Sequence, residues 1–143
     1  MKMVLDAKSN NILQRLEGHL SYIQSLTFSA DNVFIASTSS DNTARIWDVK
    51  SGKLLQTLAH NLVSEASFSH DGHLLATSGN GNEVRIWDTK NGNLVQTLNR
   101  SAKYIFATAF SSDSKTLVTV DDRAIRVWQR IFARKHEIKS MPA

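Results

Sequence analysis

The sequence predicts an all-β chain assembled from a repeated unit of four short antiparallel strands. Three observations carry that prediction. The first is a recurrence: Ser39–Asp48 reads SSDNTARIWD, Gly79–Asp88 reads GNGNEVRIWD, and the segment ending at Gln129 reads DDRAIRVWQ. Its tryptophans, Trp47, Trp87 and Trp128, stand 40 and then 41 residues apart, and self-similarity at a period of a few tens of residues marks stacked repeats. The second is a two-residue alternation of apolar and polar side chains over short runs, bounded by turn residues. The third is that no window sustains the 3.6-residue apolar period of a helix.

Each unit reads in the same order. An alternating strand leads into each tryptophan: TARIW, EVRIW and AIRVW. After the first two comes a polar turn with glycine, DVKSGK and DTKNGN, and then a further strand, LLQTL and LVQTL. Upstream lies a strand pair, SLTFSADNVFIAST, EASFSHDGHLLATS and TAFSSDSKTLVTV, turning at Asp31-Asn32, Asp71-Gly72 and Asp113-Ser114, residue types that favour tight turns. The opening MVLDAKSNNILQRL aligns with RIWDVKSGKLLQTL, placing Leu5 at the tryptophan position and Asp6 at the aspartate after it. The chain therefore starts at the end of a third strand and supplies an outer strand over 11–16. Two whole units and three strands of another follow, up to Trp128. The tail RIFARKHEIK competes for the last outer-strand position through Arg134 to Lys139. The boundaries are a repeat segment over 1–129, with repeats at about 17–58, 59–98 and 99–129, and a basic tail over 130–143.

Composition excludes several classes. The 143 residues contain no cysteine, so disulfides and thiolate zinc sites are absent, which fits a cytoplasmic chain. No apolar run approaches the roughly 18 residues of a membrane helix, and the apolar core of MKMVLDAKSNN is too short for a signal peptide. The formal net charge is +4, with the excess late in the chain at Arg123, Arg126, Arg130, Arg134, Lys135 and Lys139. A basic tail attracts nucleic acid or acidic partners. Trp128, which stands among these charges, reads as a core anchor rather than a base-stacking platform, so neither nucleic acid nor a membrane is the expected partner.

With Gly18-His19 followed by Trp47-Asp48, and Trp87-Asp88 closing the next unit, the sequence resembles the WD-repeat family of β-propellers. The match thins along the chain. Ala59-His60 replaces the Gly-His pair in the second unit, Arg100-Ser101 stands there in the third, and Gln129 replaces the last aspartate. The resemblance implies four-stranded blades around an axis. Three repeats are fewer than the about four to eight blades of a closed ring, so an open or partial ring is expected. It also implies a hydrogen-bonded chain of Trp47, Ser37, His19 and Asp41, with Trp87 and Trp128 as blade anchors. A buried indole N–H needs an acceptor, which a hydroxyl supplies. The second unit keeps Thr77 and Trp87 but has Gly81 where Asp41 stands, with His60 nearby. The third has Thr119, Asp121 or Asp122 and Trp128, without a histidine. Order is therefore expected to decline from the first unit to the third.

Ser37, His19 and Asp41 also admit a hydrolytic reading. Against it, Trp47 occupies the hydroxyl that would face a substrate, Ser37 lies on a strand rather than a strained turn, and the chain has no GxSxG segment. No catalytic residue, cofactor or metal is expected. His70 and His73 flank Asp71 on a turn and read as solvated. SGNGNE lacks the helix and lysine of a phosphate loop. Arg45, Arg85 and Arg126 are expected to pair with carboxylates such as Asp48 and Asp88. By resemblance, partner contacts fall at the strand starts, Tyr22 and Gln24, Leu62 and Ser64, Tyr104 and Phe106. They also fall at the turn positions Ser40, Asn80 and Asp121, or Arg123 where the shortened third turn shifts the match. The function implied is a non-enzymatic scaffold for other proteins, with self-association as a way to complete the ring. The alternatives are nucleic-acid binding or an accessory fragment of a propeller-based enzyme.

Overall fold

A computed structural model describes residues 2–5, 11–81, 83–99, 104–131 and 137–140. Among the described residues there are fourteen strands and no helix. β1 (Lys2–Leu5) pairs with β2 (Ile12–Leu16) in a two-stranded sheet. Three four-stranded antiparallel sheets follow, each meandering in sequence order. The first holds β3 (Ile23–Phe28), β4 (Phe34–Ser39), β5 (Thr43–Asp48) and β6 (Leu54–Ala59). The second holds β7 (Val63–Phe68), β8 (Leu74–Gly79), β9 (Glu83–Asp88) and β10 (Leu94–Asn99). The third holds β11 (Ile105–Phe110), β12 (Thr116–Asp121), β13 (Ile125–Ile131) and β14 (Glu137–Ser140).

The third sheet thus has four strands where the sequence suggested three. Its outer strand comes from the tail: Arg130 lies opposite Ile138 and Trp128 opposite Ser140. Two contacts account for this. Ile138 is buried in the core shared by the second and third sheets. Gln96, on β10, also clasps its backbone, donating from Nε2 to Ile138 O at 2.7 Å and accepting Ile138 N–H on Oε1 at 2.7 Å. Arg134, Lys135, Asp6 and the Arg100-Ser101 pair lie outside the described residues.

The first hairpin of every full sheet uses one device. Ser29 Oγ donates to Asp31 Oδ1 at 2.6 Å, the same carboxylate accepts Val33 N–H at 3.0 Å, and Phe34 N–H donates back to Ser29 Oγ at 3.0 Å. Ser69 and Asp71 repeat it, as do Ser111 and Asp113. The residue after each aspartate is left-handed, Asn32 at φ 63°, Gly72 at 77° and Ser114 at 62°. Asparagine and glycine tolerate that region.

Adjacent sheets are joined face to face by buried apolar clusters. Trp47 meets Leu16 and Ile35; Trp87 and Phe68 meet Ala36, Ala44, Ile46 and Leu58 of the first sheet; Trp128 meets Leu74, Ala76, Val84 and Ile86 of the second. Each tryptophan, and the inner-strand phenylalanines Phe68 and Phe110, therefore insert into the preceding sheet. The pattern stops at both ends. Phe28 is 55% exposed, against 8% for its counterpart Phe68, because β1 and β2 cover only the outer part of that face. At the other end Ile125 is 70% exposed, whereas its counterpart Val84 is buried.

Candidate partner-binding site

In the first sheet four side chains form one polar chain. Trp47 Nε1–H donates to Ser37 Oγ at 2.8 Å. With the ring proton on Nδ1, Ser37 donates to His19 Nε2 at 2.6 Å and His19 donates to Asp41 Oδ2 at 2.8 Å. Asp41 further accepts the Leu20 amide at 3.0 Å, the Thr43 amide at 2.9 Å and the Thr43 hydroxyl at 2.6 Å. Burial opposes its charge, but the hydrogen bonds from Thr43, His19 and Leu20 prevail and hold its carboxyl well below the usual range. Burial pushes His19 down, with Asp41 opposing. The network fastens the segment before β3 to the β4–β5 hairpin, and so fixes where β3 begins. Ser37 is fully buried. Ser37→Ala is expected to cost about 1–3 kcal/mol, the range for a broken buried hydrogen bond. A thermal melt with an ester-substrate panel checks this: an esterase activity lost in the variant with the melt unchanged would contradict it.

The second sheet repeats the chain as far as the histidine. Trp87 Nε1–H donates to Thr77 Oγ1 at 2.9 Å, and His60 Nδ1 lies 2.7 Å from the same oxygen. The other ring nitrogen faces Glu83 Oε1 at 4.0 Å, which also receives Arg85 Nε–H at 2.7 Å. Glu83 stands two residues past the place of Asp41, and its longer side chain reaches back. The sequence reading missed it because Gly81 occupies the acid's own position. The third sheet keeps the indole–hydroxyl bond but has no histidine beside it. There Trp128 Nε1–H reaches Thr119 Oγ1 at 3.1 Å, while Asp121 caps its turn, accepting Arg123 and Ala124 N–H at 2.8 Å each.

Burial, then the nearby Arg85 charge, pushes His60 down to about 4, with Glu83 opposing. The unfolded chain then takes up the proton first. This stabilisation is present above the ordinary histidine value of 6.5 and is lost as pH falls toward about 4. Allowing for partial solvent screening, the loss is about 2 kcal/mol. Urea melts across that window measure it, and His60→Gln should flatten the decline; an unchanged slope would contradict the assignment.

The arginines before the tryptophans do not pair with Asp48 and Asp88. Arg85 pairs with Glu83 and Arg126 with Asp121, at 2.7 and 2.8 Å. The Asp48 and Asp88 carboxylates cap their own turns instead, receiving Ser51 N–H and Lys90 N–H at 2.8 Å each. Of the late cations, Arg126 is held this way, and the fully buried Arg130 side chain reaches Asp71 Oδ2 at 2.7 Å. Among the described residues no group of three or more potential metal ligands occurs, and no helix is long and apolar enough to cross a membrane.

At the strand-start end, Gln24, Ser40, Leu62, Ser64 and Asn80 converge with Asn42 around a cleft of about 160 Å³ between the first two sheets. Tyr22 lines a neighbouring depression with Leu20 and is 82% exposed. Tyr104 and Phe106 are exposed on the third sheet, with ring centroids 6.3 Å apart. Asp121 is buried and occupied by Arg126. Ile105 lies opposite Asp121 as Ile23 lies opposite Ser39 and Val63 opposite Gly79, so the counterpart of Ser40 and Asn80 is Asp122.

The family profile WD40, described as WD domain, G-beta repeat, matches three times, over residues 10–48, 52–88 and 92–129. The chain belongs to the WD40 family. Its sheets are blades, and their arrangement is open. The chain is 49% identical over 49 residues to the vegetative incompatibility protein HET-E-1 of Podospora anserina, covering 34% of this chain and 4% of that protein. It is 41% identical over 64 residues to the chromatin assembly factor 1 subunit FAS2 homolog of Oryza sativa subsp. japonica, covering 44% and 13%. It is 36% identical over 50 residues to ribosome assembly protein 4 of Saccharomyces cerevisiae, covering 35% and 10%. The chain thus spans a small fraction of these relatives. Among solved structures, the RRP9 WD40 repeats superpose with a TM-score of 0.78 at 23% identity, over 89% of this chain and 39% of that one. U3-55K superposes with a TM-score of 0.77 at 22% identity, over 90% and 41%. At that identity the likeness concerns the fold.

Proposed function

We propose that this WD40 chain is a non-enzymatic scaffold that presents the strand-start end of its blades to a partner protein. The observation that carries this reading is the row of apolar side chains at equivalent places on successive blades. Tyr22, Leu62 and Tyr104, with Leu20 and Phe106, are exposed, and the inter-blade cores do not use them. Aromatic side chains in such places are the usual anchors of protein interfaces. The buried Ser37 favours a scaffold over a hydrolase, and the internal use of Arg126 and Arg130 favours a protein over a nucleic acid. Two relatives carry names of assembly factors, which agrees with this reading. A cysteine-free chain suits the cytoplasm. Self-association is a further part of the proposal, since Phe28 at one end and Ile125 at the other need covering; light scattering showing a well-folded monomer at micromolar concentration would remove that part alone.

The test is comparative capture from a lysate with the wild-type chain and with Tyr22→Ser and Phe106→Ser. Both positions are exposed, so the melts should stay within about 0.5 kcal/mol. A partner held by the wild type and lost with both variants is the expected result. Identical capture by all three, or capture abolished by nuclease, would contradict it.

A further inference from the structure

We propose that the cleft between the first two blades takes an uncharged, extended peptide segment, bonding its amide groups and seating one aliphatic side chain against Leu62. The inference rests on the scaffold reading and names the chemistry of the partner. Three observations converge on it. The first is the backbone of Leu62, whose φ of 61° is left-handed. A bulky residue there is a genuine outlier that persists only when its surroundings hold it. Here they do: Leu62 N–H donates to Asn42 Oδ1 at 3.0 Å, and Leu62 O accepts Asn80 N–H at 3.2 Å. The same carbonyl passes so close to Gly79 that a Cβ there would collide with it. The origin is a loop with two residues between His60 and β7, against three between His19 and β3. Glycine or asparagine would fit that conformation without strain, yet the position carries a leucine that is 52% exposed.

The second observation is the valence of the lining. Gln24 Nε2–H donates to Ser40 Oγ at 2.5 Å, which leaves Gln24 Oε1 open. No hydrogen bond involves the Asn80 carboxamide or the Ser64 hydroxyl among the described residues. These groups offer both donors and acceptors, as a peptide main chain does. The third is charge and size. The residues lining the cleft carry no ionisable side chain, so a charged ligand group would shed water without a counter-charge. At about 160 Å³ the cleft is smaller than the about 300–1,000 Å³ of a drug-sized ligand pocket, which leaves room for a single side chain of a segment lying across it. No aromatic ring lines the cleft, which disfavours a nucleic-acid base, whose binding relies on stacking.

The experiment follows amide chemical shifts of the full chain on titration with the capped tripeptide Ac-Gly-Leu-Gln-NH2, its Glu and Lys congeners, and uridine. The expected result is saturable shifts at residues 24, 40, 62, 64 and 80 with the neutral peptide, and about tenfold weaker binding of either charged congener. Leu62→Asn should bind the peptide several-fold more weakly while melting no lower than the wild type, a combination that a merely structural leucine would not give. Four results would each overturn the inference: no saturable shifts at millimolar peptide, equal binding of the charged congeners, uridine occupying the cleft, or a lower melting temperature for Leu62→Asn. If partner capture by Tyr22 and Phe106 stands while the peptide fails, only this inference falls.

Discussion

Asp71→Ala is expected to destabilise the chain by about 3–4 kcal/mol, because it strands a buried cation between the second and third blades. The Arg130 side chain is fully buried and donates from Nη1 to Asp71 Oδ2 at 2.7 Å and to Ser114 O at 3.3 Å. Asp71 is fixed in turn: its Oδ1 accepts the Ser69 hydroxyl at 2.7 Å and His73 N–H at 3.0 Å, and its own N–H donates to Ser114 Oγ at 2.8 Å. Breaking a buried ion pair at one partner costs about 3–5 kcal/mol; partial exposure of Asp71 places this case at the lower end. Arg130→Met should cost less, since the remaining carboxylate reaches solvent and keeps its turn bonds. Urea melts of both variants check the ordering. A loss below about 1 kcal/mol for Asp71→Ala would mean that the clasp behaves as a surface pair.

Two alanine substitutions at equivalent positions are expected to differ strongly. Phe68→Ala should cost about 3–4 kcal/mol, because Phe68 fills the face formed by Ala36, Ala44, Ile46 and Leu58 of the preceding blade. Phe28→Ala should cost less than about 1 kcal/mol in the isolated chain, because the corresponding face in front of Phe28 is open. Equal losses would show that the phenylalanine serves its own blade rather than the junction between blades.

The fold was legible because the repeat writes its packing into the sequence. Each tryptophan lies nine or ten residues after its hydroxyl partner, and each hairpin carries the same serine and aspartate. Other features were hidden for physical reasons. Glu83 comes within 4.0 Å of His60 from a strand position where the first unit has Thr43. The Arg130–Asp71 clasp joins residues 59 apart, with no counterpart in the other junction to signal it. β14 carries no motif, and among its described side chains Ile138 is the buried one that holds it. At the strand-start end, alignment placed Gln24, Ser40, Leu62, Ser64 and Asn80 in equivalent registers. Their convergence on one cleft depends on the turn at Leu62, which one deleted residue imposes.

Amide hydrogen exchange, read strand by strand, tests most directly the claim that the repeats form one packed array rather than three independent sheets. β4 and β8 share the first inter-blade core and should exchange with a common free energy, the highest in the chain, with β12 below them. Phe68→Ala should lower β4 and β8 together. Protection lost from β8 alone, with β4 unchanged, would contradict the claim.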